Sequence, residues 1–79
     1  MGVYNLKKTM KKKLSETQIE ELKSIKRSGR SALVRQKAHA ILLWCNGNKV
    51  AKIAFILDLT EDTVEVWIDA YKQLGNIIF

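Results

Sequence analysis

The sequence predicts an all-α fold: a small three- to four-helix domain containing a helix-turn-helix. Three observations lead to it. Proline is absent from all 79 residues, which removes the strongest helix breaker. Apolar residues recur at three- and four-residue steps, the period of a helix with one buried face. Capping and stop residues at Ser15, Gly29, Asn46-Gly47-Asn48, Asp58 to Thr60 and Gly75 cut the chain into four helical pieces.

Residues 1–13 read as a basic flexible tail, because Lys7, Lys8, Lys11, Lys12 and Lys13 repel one another. The first helix is expected over residues 16–27. Ser15 is its N-cap, Gln18 the capping-box partner, and Leu14 and Ile19 the hydrophobic staple. Its apolar stripe is Ile19, Leu22 and Ile25, and Gly29 is expected to end it with a positive φ. The second helix follows Ser31 and runs to about Asn46. Leu33, Val34, Ala38, Ile41, Leu42 and Cys45 form its buried face, with Arg35, Gln36, Lys37 and His39 largely outside.

The third helix spans residues 49–57, with Val50, Ile53, Ala54 and Leu57 on its apolar side. Asp58-Leu59-Thr60 is a tight break. Thr60 caps the fourth helix, where Glu61 and Asp62 meet the positive end of the helix dipole. Val64, Trp67, Ile68 and Tyr71 give this helix its buried stripe, Gly75 ends it, and residues 76–79 are an apolar C-terminal tail. Residues 14–75 thus make up the helix-turn-helix domain between two tails.

A chain of this length buries only about 60% of the surface that its unfolded form exposes, so one small core is expected and no walled catalytic cleft. The single cysteine, Cys45, excludes an intrachain disulfide and suits a reducing compartment. No apolar run is long enough for a signal peptide or a membrane span, so the expected location is cytoplasmic, with the bacterial nucleoid implied if the chain binds DNA. Charge is unevenly spread. Residues 1–37 carry eleven Lys/Arg against three Glu, a net +8, whereas residues 38–79 carry three Lys against five acids, a net −2. The first half suits a polyanion; the second does not by charge alone.

Two short helices joined by a three-residue turn describe a helix-turn-helix. Ile53, Ala54, Leu57, Val64, Trp67 and Tyr71 form its structural core, with the small Ala54 where the helices cross. Asp58 stands where such turns usually carry glycine, and Asp tolerates positive φ better than most residues. From Leu14 to Gly75 the chain resembles the N-terminal helix-turn-helix region of mariner-like bacterial insertion-sequence transposases, a homeodomain-like unit. The resemblance lies in Leu33-Val34-Arg35, Lys37-Ala38, Ile41-Leu42-Leu43, Gly47, Ile53-Ala54, Leu57, Thr63-Val64, Trp67, Tyr71 and Gly75. It implies binding to double-stranded transposon-end DNA ahead of a two-metal nuclease domain. These 79 residues are too few to be expected to hold such a nuclease domain as well. The expectation is a DNA-binding unit without catalytic activity of its own, whether fragment, remnant or stand-alone relative.

The fold would read bases through Thr60, Glu61, Asp62, Thr63, Glu65, Val66 and Asp69. Phosphates would meet Lys7, Lys8, Lys11, Lys12, Lys13, Arg35, Lys37, Lys49 and Lys52. Each group also has a plainer reading. The lysines serve as ordinary solvated surface, and Lys7 to Lys13 as a solubilising tail. Relatives of this type place Arg and Lys on the last helix, whereas this chain places four carboxylates there, which repel phosphates. The alternative is therefore a helix-turn-helix fold used for protein contact or homodimerisation, through the acidic face, Trp44 or the tail Ile77-Ile78-Phe79. His39 and Cys45 lack companions for a metal site, Cys45 reads as a core residue, and no nucleophile–base pair suggests an enzyme. No cofactor, small-molecule substrate or membrane partner is expected.

Overall fold

A computed structural model of the chain describes residues 14–77. Within them lie four helices and no strand: α1 (Glu16–Ser28), α2 (Ala32–Cys45), α3 (Val50–Leu57) and α4 (Glu61–Leu74). The expected tail over residues 1–13, and Ile78 and Phe79, fall outside the described residues.

Local chemistry explains each helix start. Ser15 is extended and its hydroxyl accepts from Gln18 N at 3.1 Å, while Gln18 Oε1 accepts from Ser15 N at 3.1 Å, completing the capping box. Leu14 packs against the core beside it. The Ser31 hydroxyl accepts from Val34 N at 3.1 Å and opens α2. The Thr60 hydroxyl accepts from Thr63 N at 3.2 Å and opens α4, with Glu61 and Asp62 in the first turn. Only α3 starts without a side-chain cap, at Lys49.

The core joins Leu22 of α1, Ala38, Ala40 and Ile41 of α2, Ile53 and Ala54 of α3, and Val64, Trp67, Ile68 and Tyr71 of α4. Full burial of an aliphatic side chain contributes about 1.5–3 kcal/mol, so this small set supplies most of the drive to fold. Among the described residues no buried side chain is polar or charged. Ile77, beyond the end of α4, returns to this core and is itself buried.

Helix α2 is central, packing on α1, α3 and α4. Its expected single buried face needs correction. Ala38 and Ala40 are both fully buried, although two residues place them about 200° apart around a helix. The helix is covered on opposite sides, and alanine's small side chain lets its neighbours come close. Leu33, expected inside, is 52% exposed on the first turn. Arg35, Gln36, Lys37 and His39, expected outside, are half-buried, as is Cys45, which borders the core rather than joining it.

Gly29 is a second correction. Its φ is −63°, so it does not end α1 in the left-handed region. Space is the constraint instead: a Cβ there would lie 2.6 Å from Ile25 O and 3.2 Å from Arg35 Cγ. The chain turns from α1 to α2 through a gap that only glycine fits. Gly75, by contrast, does take a positive φ of 73°, and its N–H donates to Tyr71 O at 2.7 Å as α4 stops.

Candidate nucleic-acid interface

The junction of α3 and α4 turns on Asp58, whose φ of 59° and ψ of 49° lie in the left-handed region. It is the one non-glycine residue with positive φ among those described. This reverses the chain enough for Leu59 N to donate back to Ala54 O at 2.8 Å. Thr60 is extended and caps α4 at once. Helix α4 is therefore not a continuation of α3. Ile53 and Ala54 on one side and Val64 and Trp67 on the other are buried, holding the pair together.

Fixing that stripe inward leaves the opposite side of α4 in solvent. Thr60, Glu61, Asp62, Glu65, Val66 and Asp69 are all exposed, and Val66 is 62% exposed. Thr63 is half-buried, with its hydroxyl 2.9 Å from that of Thr60. The seven residues expected to read bases thus lie along the start of one helix. Four of them are carboxylates, so the face carries a negative field where a groove would have to enter.

The expected phosphate contacts divide. Lys49 and Lys52 are exposed at the start of α3. There the uncapped first turn adds N–H donors and the positive end of the helix dipole. Arg35 is half-buried and donates through Nη1 to Gly29 O at 2.7 Å, so it braces the α1–α2 corner as well as carrying charge. Lys37 Nζ lies 5.9 Å from the centre of the Trp67 ring, a cation–π distance that ties it to the core. Lys7, Lys8, Lys11, Lys12 and Lys13 lie outside the described residues.

Sequence reasoning passed over two features of this surface. Phe55 on α3 is 86% exposed, beside Ile56 at 44%. The helical stripe places Phe55 outside, but residue type alone does not show that an aromatic stands there in water. The second feature is the basic end of α1, where Lys23, Lys26 and Arg27 border one surface cavity of about 470 Å³. Packing of α1 on α2 brings Lys26 close enough to His39 for the ammonium, after burial, to lower the imidazole pKa.

Beside the acidic edge, Trp44 is half-buried against the core and shares a surface depression with Glu65, Asp69 and Lys72, whose Nζ lies 5.8 Å from its ring centre. Among the described residues no three His, Cys, Asp or Glu side chains gather in a way that could hold a metal ion. No helix among them is long and apolar enough to cross a membrane.

A family model described as a homeodomain-like domain matches residues 31–78, which contain α2, α3 and α4; α1 precedes the matched region. No curated protein and no solved structure matches the chain.

Proposed function

The chain belongs to the homeodomain-like domain family, and from that premise we propose that it binds double-stranded DNA, with α4 in the major groove and Lys49 and Lys52 on flanking phosphates. The observation that carries this reading is the α3–α4 junction. A left-handed Asp58 and the capping Thr60 present Thr60, Glu61, Asp62, Glu65, Val66 and Asp69 as one exposed edge on a fixed core. Family membership supports DNA as the partner. The likeness of Leu33-Val34-Arg35, Thr63-Val64 and Trp67 to mariner-like transposases supports transposon ends as its source, with the unit positioning rather than cutting.

The acidic edge shapes what such binding must look like. Glu and Asp accept from the cytosine N4 amino group, so Glu61, Asp62, Glu65 and Asp69 suit cytosine contacts over a broad attraction to any sequence. Affinity then rests on the lysines, and each phosphate neutralised contributes a slope of about −0.9 in log K against log salt. Selecting bound sequences from a random DNA pool tests the reading. Enrichment of one motif, with a steep salt dependence, is expected. A pool that stays random, with binding indifferent to salt, would refute it.

A second reading rests on Phe55. An aromatic 86% exposed, on the helix preceding the acidic edge, suits contact with a protein partner or a second copy of the chain. Light scattering across concentration separates the two. Association that Phe55→Ser abolishes favours the second reading, and a monomer at all concentrations removes the homodimer.

A further inference from the structure

Three cationic or imidazole side chains that the α3–α4 motif does not use converge on one cleft. It measures about 400 Å³ and is lined by Lys26 of α1, Ala32, Arg35, Gln36 and His39 of α2, and Leu57 of α3. No carboxylate is among the lining residues. Two hydrogen bonds hold its walls in place. Arg35 Nη1 donates to Gly29 O at 2.7 Å, which fixes the guanidinium and leaves its remaining N–H donors for another acceptor. Gln36 Nε2 donates to Leu57 O at 3.2 Å and joins the cleft to the end of α3. Ala32 is the first residue of α2, so the positive end of that helix dipole faces the same space.

We propose that this cleft is a phosphate site, held by Lys26, Arg35 and His39, and that in the DNA-bound protein a backbone phosphate occupies it. The DNA part rests on the function proposed above; the phosphate chemistry does not. A phosphate diester suits the cleft because it accepts hydrogen bonds, carries negative charge and meets no acid. Burial first, and then the Lys26 charge, disfavours the protonated form of His39, so a positive field reaches the imidazole from α1. Geometry links the cleft to the reading edge. Leu57 is three residues before Thr60, so at about 3.8 Å per Cα step the two are no more than roughly 11 Å apart. The major groove is about 12 Å wide, so a helix inside it lies within that distance of the phosphates on its rim. Half of the cleft's charge comes from α1, which lies outside the region matched by the family model.

Histidine occurs once in the chain, so one imidazole resonance reports on the cleft. The full chain and its Lys26→Gln variant are titrated with acid by NMR, with and without inorganic phosphate at constant ionic strength. DNA affinity is then measured across salt for both. Lys26 is exposed, so its replacement leaves the core intact. Phosphate is expected to shift the His39 midpoint upward in the parent and much less in the variant. The DNA salt slope is expected to be shallower by about 0.9 in the variant. A moved slope assigns the site to DNA phosphate; a moved midpoint with an unmoved slope assigns it to free phosphate. If neither moves, the cleft proposal is overturned, and salt-dependent DNA binding by the parent would leave the DNA reading standing. A moved midpoint in a protein that binds no DNA keeps the cleft and removes the DNA reading.

Discussion

The side-chain amide of Gln18 is used at both ends: Oε1 accepts from Ser15 N at 3.1 Å, and Nε2 donates to Tyr71 Oη at 3.4 Å. The cap that starts α1 is thereby tied to the last turns of α4, 53 residues away in sequence. The backbones of α1 and α4 do not approach each other closely; each packs on α2. This contact is a side-chain bridge between the helix outside the family-matched region and the one that carries the reading edge.

Gln18→Ala removes the cap partner and the bridge together, and Tyr71→Phe removes only the bridge. Gln18→Ala keeps the Ser15 cap and loses its reciprocal bond; each hydrogen bond removed costs about 0.5–1.5 kcal/mol. The bridge is long, so its share falls at the low end. Urea unfolding of the two single variants and the double variant should give a double-variant loss smaller than the sum of the single losses. Strict additivity would mean that the bridge contributes nothing.

Gly29→Ala and Gly75→Ala should differ in cause and size. At Gly29 the new methyl meets backbone, Ile25 O at 2.6 Å, and forces the α1–α2 corner apart; overpacking of this kind costs roughly 1–3 kcal/mol. At Gly75 nothing lies within 4 Å, so only the positive φ penalises alanine, by roughly 1–2 kcal/mol. Thermal unfolding should rank Gly29→Ala as the more damaging. The reverse order would show that the corner relaxes freely.

Asp58 carries the turn in the left-handed region at φ 59°. Asp58→Gly relieves that conformation while loosening the unfolded chain, so the two effects nearly cancel, to within about 1 kcal/mol. Asp58→Val adds a β-branched side chain there and should lose roughly 1–2 kcal/mol. Calorimetry on both variants checks the contrast; a Val variant as stable as the parent would contradict the turn described.

Two rings, the half-buried His39 and the buried Tyr71, set opposite limits on pH. Burial first, then the Lys26 charge, lowers the His39 pKa below 6.5. The unfolded chain therefore takes up the proton first, and stability falls as pH drops through 6.5 until the folded pKa is passed. Burial first, then the Glu21 and Cys45 charges, raises the Tyr71 pKa above 10.0, against the opposing Gln18 hydrogen bond. The unfolded tyrosine then ionises first, and stability falls as pH rises above 10.0. Denaturant midpoints measured across pH should fall at both limits. His39→Gln should flatten the acid side near pH 6, and Tyr71→Phe the alkaline side; a parent midpoint that rose below pH 6.5 would reverse the His39 sign.

Glu65→Lys with Asp69→Lys turns the centre of the reading edge from acidic to basic. Both side chains are exposed, so folding should be little changed. Binding to unrelated DNA sequences should strengthen at low salt, and discrimination between sequences should narrow, since the added charge attracts every phosphate alike. Gel shifts with matched and unmatched duplexes measure both effects. Weaker binding to every duplex would mean that this face does not approach DNA.

Most of the helix-turn-helix was legible in the residues because its determinants are local. Thr60 caps by reaching three residues ahead, Asp58 adopts a backbone conformation its side chain tolerates, and Val64, Trp67, Ile68 and Tyr71 share a face by helical period alone. The same holds for the box formed by Ser15 and Gln18. Where the local pattern failed, another element intervened. Periodicity finds one stripe, so it misassigned α2, where Ala38 and Ala40 are buried on opposite sides. Composition suggested positive φ for Gly29, yet Ile25 and Arg35 are what exclude a side chain there.

The residues by themselves determined which segments are helical, where each begins and ends, and which side of α3 and α4 turns inward, since these follow from contacts within about four residues along the chain. Only the tertiary structure decided that α2 is sandwiched, that Gln18 reaches Tyr71, and that Lys26, Arg35 and His39 surround one cleft. Those outcomes depend on the position at which one helix settles against another. That position is a balance of many side-chain contacts spread across the whole core, and no short stretch of sequence contains it.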